Sequence, residues 1–274
     1  MLDRGFEFSE KGDKHEAYKC FLSVMEISPE NALAHACIGL SMHNWGRYTE
    51  AISYYDQAIT LDSTRAVYHY YKGNTHWKLG NLTEAVICYD QALIINPQYE
   101  NAYNQKGLAL YELGKFKKAI LCFNRLLELN PIHSEASFNK GNALHSLKNY
   151  KEAIICFDKA LEAAPTLVNA YYNKANALNF IDEYESAIEC YDKYIALVPD
   201  DSEGYHNKGV TLKYLKRFDE ALQFLNKGLE LNPEDIKAIR NKGTVLFLMG
   251  RIDEAKECFR IGRELKIILT NPLE

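Results

Sequence analysis

Apolar and polar positions along the chain follow one pattern that returns every 34 residues. With Ala32 as position 1 of a copy, small or apolar side chains stand at positions 8, 10, 11 and 14, as in Gly107, Ala109, Leu110 and Leu113. That is the spacing of one face of an α-helix. A second set stands at 20, 21, 24, 27 and 28, as in Ala153, Ile154, Phe157, Ala160 and Leu161. Between the two sets, Gly46, Gly80, Gly114 and Gly250 supply a residue that tolerates φ > 0 and so ends a helix at low cost. A proline at position 32 (Pro29, Pro97, Pro131, Pro165, Pro199, Pro233) forbids continuation of the second helix, with Ser63 filling the one gap. The pattern predicts helix A, turn, helix B in every copy.

The register holds along the whole chain. Position 20 is Ala17, Ala51, Ala85, Ala119, Ala153, Ala187, Ala221 and Ala255 without a miss. Position 8 is Gly5, Gly39, Gly73, Gly107, Gly141, Gly209 and Gly243, with Ala175 in the remaining copy. Small residues at 8 and 20 let the two helices approach closely. The organisation expected is a single array over residues 1–269. It comprises a partial copy 1–31, then 32–65, 66–99, 100–133, 134–167, 168–201, 202–235 and 236–269, with 270–274 as a tail. One hairpin cannot bury both apolar faces, so neighbours must stack.

These ladders resemble the tetratricopeptide repeat, a 34-residue helix-turn-helix unit. The resemblance implies an all-α, right-handed α-solenoid superhelix with A helices lining the concave side. It implies a fold more than a function, because one scaffold hosts many partners. An array needs polar ends. Positions 21 and 28, apolar in the preceding copies (Ile188 and Leu222; Ile195 and Leu229), become Lys256 and Arg263, so the C-terminal end reads as genuine. Ile261, Ile267 and Ile268 cut against that, since they remain to be covered. Met1 falls inside helix A at position 4, which leaves open whether it is the natural start or a fragment boundary.

Composition narrows the function classes. The 274 residues are 47 % apolar and 25 % charged with net charge −5 and a pI near 6.0, so a chain-wide basic field for nucleic acid or an anionic membrane is absent. No apolar run reaches a membrane span, and the N-terminus has no secretion-signal core. Six of seven cysteines (Cys20, Cys88, Cys122, Cys156, Cys190, Cys258) share position 23 with Tyr54 and Phe224, which makes it a packing slot. Packed helices lie farther apart than a disulfide allows. Reduced thiols and an intracellular, cytoplasmic setting follow, and the sequon at Asn81 is expected to stay unused. Cys37 stands apart on the inner face. His35 and His69 share position 4 with Tyr103, Tyr171 and Tyr205, again a packing equivalence. No C-x-x-C, H-E-x-x-H or phosphate loop occurs, so no metal, cofactor or catalytic residue is expected.

Six lysines at position 7 (Lys72, Lys106, Lys140, Lys174, Lys208, Lys242) follow an acid or amide at position 25 of the preceding copy (Asp56, Asp90, Asn124, Asp158, Asp192, Asn226). Ile38 follows Leu22. Each lysine is expected to lay its stem on the core and reach back to the previous helix B.

Positions 2, 5, 6, 9, 12 and 13 form the other face of helix A, and here the copies differ. Candidate partner-binding residues are Tyr70, Tyr71, Asn74, Trp77, Asn104, Gln105, Tyr111, Phe138, Asn139, Asn142, Tyr172, Asn173, Asn176, Asn207, Lys213, Tyr214, Lys237, Arg240 and Asn241. An amide offers a donor and an acceptor to an extended backbone, and aromatics add rigid apolar contact. Asn139, Asn173, Asn207 and Asn241 resemble the asparagine ladder in the repeat region of O-linked N-acetylglucosamine transferase, where it contacts peptide backbone; Gln105 departs conservatively. Alternatively these amides bond within the array. The carboxylate clamp of chaperone-tail-binding relatives is not matched: no copy has lysine at 5 or arginine at 6. Lys213, Lys237 and Arg240 suggest a basic C-terminal stretch suited to an acidic ligand segment, with Glu112, Glu135 and Glu203 nearer the middle. The function expected is a non-enzymatic protein-interaction scaffold binding a protein or extended peptide, without nucleic acid or membrane. The alternatives are an interaction domain of a larger enzyme or signalling protein, and an RNA-binding helical repeat.

Overall fold

The computed structural model describes the backbone of residues 1–270 and side chains through residue 267. Sixteen helices occur among the described residues, in pairs. The A helices are α1 (Leu2–Glu10), α3 (Ala32–Asn44), α5 (Ala66–Lys78), α7 (Glu100–Glu112), α9 (Ser134–Ser146), α11 (Val168–Asn179), α13 (Ser202–Tyr214) and α15 (Ile236–Leu248). The B helices are α2 (Lys14–Ile27), α4 (Tyr48–Leu61), α6 (Leu82–Ile95), α8 (Phe116–Leu129), α10 (Tyr150–Ala163), α12 (Tyr184–Leu197), α14 (Phe218–Leu231) and α16 (Ile252–Thr270). The all-α hairpin array expected from the 34-residue period is the fold. Contacts divide the chain into two units, Met1–Ala143 and Leu144–Glu274. From α1 to α8 in the first unit and from α10 to α16 in the second, each helix packs on the next, A on B within a hairpin and B on the following A, as in α5 with α6 and α6 with α7, or α13 with α14 and α14 with α15. Most of the expected tail, residues 271–274, and the side chain of Ile268 lie outside the described residues. No described helix is long and apolar enough to cross a membrane.

The hairpins close on one recurring contact. All eight position-20 alanines are at most 1 % exposed. The side chain at position 24, a ring except at Leu225, lies on the position-8 glycine of the same copy, as at Gly5, Gly39, Gly73, Gly107, Gly209 and Gly243. A Cβ added at Gly107 would sit 2.5 Å from Phe123 Cε1, at Gly73 2.6 Å from Tyr89 Cε1, and at Gly39 2.9 Å from Tyr55 Cε1. In the sixth copy Ala175 takes the slot beside Tyr191, and both are fully buried. These rings are among the largest wholly buried side chains, and each contributes roughly 1.5–3 kcal/mol of apolar transfer.

The A–B turn is equally regular. Arg47 N–H donates to Met42 O (2.9 Å) and Gly46 N–H to His43 O (3.0 Å), the paired bonds of a Schellman motif, with Gly46 at φ 75°. Gly12, Gly80, Gly114 and Gly250 repeat this positive φ, and Lys148, Asp182 and Lys216 adopt it without being glycine, at φ 63°, 61° and 58°. At the other turn, Asn96 Oδ1 accepts from Gln98 N–H (3.0 Å) and Asn232 Oδ1 from Glu234 N–H (3.3 Å). Where Ser63 replaces proline, Asp62 Oδ1 makes the same bond to Thr64 N–H (3.0 Å) and also accepts from its hydroxyl (2.6 Å). The side-chain turn is thus made both with proline, at Pro97 and Pro233, and without it, at Ser63.

The lysine pairing is present where the partner is a carboxylate. Lys72 Nζ meets Asp56 Oδ1 and Lys174 Nζ meets Asp158 Oδ1, both at 2.5 Å, and Lys106–Asp90 and Lys208–Asp192 repeat the pairing. The lysine side chains are 8–22 % exposed and the aspartates 43–54 %. Solvated acids hold such pairs to about 0–1 kcal/mol, so their effect is on register. The position-4 equivalence also has a cause: His35 Nε2 and Tyr103 Oη each bond the carbonyl of the preceding proline, Pro29 O at 2.8 Å and Pro97 O at 3.3 Å. Cys37, Cys88, Cys122, Cys156 and Cys190 are buried. Burial pushes Cys37 up to about 12 and Cys122 to about 11, so neither is a thiolate nucleophile at neutral pH. Lys256 and Arg263 are exposed.

Two stability outcomes follow from the turn and the close approach. Lys148→Gly and Lys216→Gly should each stabilise by about 1 kcal/mol in urea denaturation, because left-handed backbone costs an L-residue about 1–2 kcal/mol. Asp182→Gly should gain less, since Asp182 also accepts the Tyr184 hydroxyl proton. Gly107→Ala gains up to about 1 kcal/mol of helix propensity but overpacks Phe123 at about 1–3 kcal/mol. The net expected is a loss of about 1 kcal/mol, and a gain would show that the ring can yield.

Candidate functional site

The face of helix A that does not carry the packing ladder presents different chemistry in the two units. In unit 1, α5 and α7 bring Asn74, Trp77 and Gln105 to one recess of about 440 Å³, together with His43, Lys78 and Leu108. Asn74 is partly spent: its Oδ1 accepts from Tyr89 Oη at 2.8 Å. Tyr70 and Tyr71 belong largely to the packing. Tyr70 rests 5.1 Å from the Tyr99 ring and 6.0 Å from that of Tyr89, and Tyr71 stacks on Tyr55 at 6.2 Å. Burial raises the Tyr71 hydroxyl above its ordinary value. Tyr111 meets the Phe116 ring edge-on at 5.3 Å. Asn104 Oδ1 is buried without a hydrogen-bond partner. Phe138, Asn139 and Asn142 lie on α9, and both Phe138 and Asn142 have partners.

In unit 2 the amides are tied into the array more thoroughly. Asn176 Oδ1 accepts from Tyr191 Oη at 2.6 Å, the bond that Asn74 makes with Tyr89. Asn207 Nδ2 donates to Tyr172 Oη at 2.8 Å, and that hydroxyl donates to Glu203 Oε2 at 3.1 Å. A position-6 amide therefore reaches the position-5 side chain of the copy before it. Asn241 does likewise, with Nδ2 2.9 Å from His206 Nε2. Asn173 also has a partner. The ladder is partly internal: Asn207 and Asn241 fix neighbouring A helices to one another, which the sequence left as an alternative.

The hydrogen-bond pattern sets the state of His206. Lys213 Nζ donates to Asn241 Oδ1 at 3.2 Å, so the Asn241 amide nitrogen is the group facing His206 Nε2. Nε2 is then an acceptor, and Nδ1 carries the proton toward Asp235 Oδ2 at 3.2 Å. Burial lowers His206 below its ordinary value and outweighs the opposing pull of Asp235. Asp235 is also the N-cap of α15, accepting from the N–H groups of Lys237 (2.8 Å) and Ala238 (3.0 Å). Burial lowers Lys213 as well, and its ammonium lies 4.9 Å from the Tyr214 ring centroid.

Around this network lies a recess of about 400 Å³ that contains Tyr172, Asn207 and Lys237 of the sequence-predicted residues. Glu203, His206, Asn232, Glu234 and Asp235 also wall it. Lys237 therefore faces a site with three carboxylates, and the basic stretch expected from Lys213, Lys237 and Arg240 does not form there. Lys213 is turned to Asn241, and Arg240 is exposed. Asp235 and Glu234 escape a reading of helix faces because they sit in the inter-copy turn, just ahead of the first helical position. Their offset to Glu203 across one period is the signal that could have found them.

A second feature of unit 2 is apolar. At position 13, Phe180, Tyr214 and Leu248 are 61 %, 57 % and 52 % exposed, and Phe247 beside them is 57 % exposed. Phe180 stacks on Tyr150 at 4.5 Å and 3°, and Tyr214 on Tyr184 at 5.4 Å and 9°. These ring pairs hold the exposed aromatics upright on the edge of the A-helix face. The sequence singled out Tyr214 here but not the row.

Comparison with known proteins accords with this architecture. Profiles described as "Tetratricopeptide repeat" match residues 104–167, 156–189 and 202–235, and one described as "TPR repeat" matches 45–80 and 78–114. No curated protein matches the chain. Among solved structures, YrrB, described as a TPR protein with an unusual peptide-binding site, is 27 % identical, covering 69 % of this chain and 97 % of its own, with a TM-score of 0.62. MamA is 26 % identical over 60 % of this chain and 95 % of its own, with a TM-score of 0.56. The C-terminal part of a TPR repeat-containing protein from Cytophaga hutchinsonii covers 88 % of this chain and 99 % of its own at 19 % identity, with a TM-score of 0.75, a likeness of fold. With eight copies in register, hairpins closed by a large position-24 side chain set on a small position-8 residue, and profiles matching along most of its length, the chain belongs to the tetratricopeptide repeat family.

Proposed function

We propose that the protein is a non-enzymatic interaction scaffold that holds an extended peptide or helix of a partner protein against its A helices. The observation that carries this reading is the position-13 row of unit 2. Three successive hairpins each leave a large apolar side chain more than half exposed at the same register: Phe180, Tyr214 and Leu248. Rings pre-set by stacking lose little freedom when a partner covers them, and aromatic anchors dominate interfaces. Amides and carboxylates beside the row can fix a peptide backbone. The peptide-binding site ascribed to YrrB supports the same use of a related array. Buried, unreactive thiols and a histidine committed to two structural bonds fit a scaffold better than a catalyst.

The test is a triple variant, Phe180→Ser, Tyr214→Ser and Leu248→Ser, used beside wild type in affinity capture with quantitative mass spectrometry. All three side chains are exposed, so thermal unfolding should shift by little. Captured partners should fall by tenfold or more, since losing one interface anchor commonly costs about 2 kcal/mol or more. Identical partner sets from a folded variant would remove this face from the function.

A further inference from the structure

We propose that the recess beside the N-termini of α13 and α15 receives a basic side chain, arginine or lysine, from the bound peptide. The inference rests on the peptide-binding reading and specifies its ligand.

Charge complementarity selects the occupant. Glu203, Glu234 and Asp235 line the recess against one ammonium, Lys237. Helix N-termini ordinarily favour an anion, but here that preference is already met. Asp201 Oδ1 accepts from Glu203 N–H at 3.1 Å, and Asp235 caps α15 through two N–H groups. An acidic ligand would meet three like charges and few free donors. Acceptors remain in supply: one Glu203 oxygen is used by Tyr172 Oη, and Glu234 is exposed at the rim. Tyr172 also lines the recess, with its hydroxyl held between Asn207 and Glu203. A guanidinium, planar with five donors, suits such a set of acceptors. A volume of about 400 Å³ takes a long side chain with some of its water.

The same geometry couples the site to acidity. His206 is neutral, with Asp235 at Nδ1 and the Asn241 amide, held by Lys213, at Nε2; Glu203 and Lys237 are the other charges that act on it. A proton on His206 adds a positive charge to the recess and competes with a basic ligand. Because burial places that protonation below the ordinary value of 6.5, affinity should hold at and above neutrality and fall only as the pH drops below that ordinary value.

The experiment pans a displayed library of random dodecapeptides on the full chain, followed by titration of a synthetic selected peptide. Selected peptides should share an arginine or lysine. Glu203→Gln/Glu234→Gln should weaken the synthetic peptide by about tenfold or more, the range for hydrogen bonds to charged groups. Lys237→Glu should strengthen it, and His206→Asn, which keeps a donor toward Asp235, should flatten its pH dependence between 7.5 and 5.5. Peptides that bind without basic enrichment, or whose affinity ignores Glu203→Gln/Glu234→Gln, would overturn the inference and leave peptide binding standing. Selection of acidic peptides weakened by Lys237→Glu would overturn it in favour of the charge reading from sequence. Selection of no peptide at all would remove both.

Discussion

The structure depends on one contact: a large side chain from position 24 of helix B, a ring except at Leu225, pressed on a residue with little or no side chain at position 8 of helix A. That contact lets the helices of a hairpin come close, and the buried alanine at position 20 keeps the opposite wall equally thin. With the hairpin fixed, each copy presents the same apolar surface to the next, and stacking becomes a matter of repetition within each unit. The lysine–aspartate pairs then act as register marks. Their carboxylates stay solvated, so they add little free energy, but a slip of one residue would separate every pair along a unit.

Because packing is carried by positions 8, 10, 11, 14, 20, 21, 24, 27 and 28, the remaining face of helix A is free to vary. It does so in a graded way. Some amides are drawn into the scaffold: Asn74 and Asn176 satisfy tyrosine hydroxyls that would otherwise be buried alone, and Asn207 and Asn241 tie one A helix to the next. The pairing is not general: Tyr55 stands with Leu40 at position 9, and Phe157, which has no hydroxyl, stands with Asn142. At Asn74 and Asn176 the amide at 9 is explained by the tyrosine it caps. Unit 2 adds the exposed position-13 row and, around Glu203, carboxylates of which Glu203 and Asp235 also hold the array together while Glu234 is exposed.

The fold was legible because its signals are local and repeated. Helix periodicity, the turn glycines, the alanine column and the lysine offset each depend on residues within one period of one another. The turns at Lys148, Asp182 and Lys216 were not legible as left-handed, since only their place in the register marks them. The candidate site was legible only in part. Tyr172, Asn207 and Lys237 were named from their positions, and they do share a recess. The charge reading of Lys237 and Arg240 summed residues along one helix and left out the acids beside Lys237. The acids that decide the matter, Glu234 and Asp235, come from the turn that precedes it, and Glu203 from the helix one period back. Lys213 reads as a free cation in the sequence but is committed to Asn241.

A rival surface exists on the B helices of unit 1, where Ile87 and Leu121 are 55 % and 67 % exposed at position 22. The most direct test of binding on the A-helix face is therefore site-specific photocrosslinking to a bound partner. A photoreactive phenylalanine analogue would be placed in turn at Phe180, Tyr214, Ile87 and Leu121. Binding on the A helices predicts crosslinks from Phe180 and Tyr214 and none from Ile87 or Leu121. Crosslinks confined to the B-helix positions would contradict it.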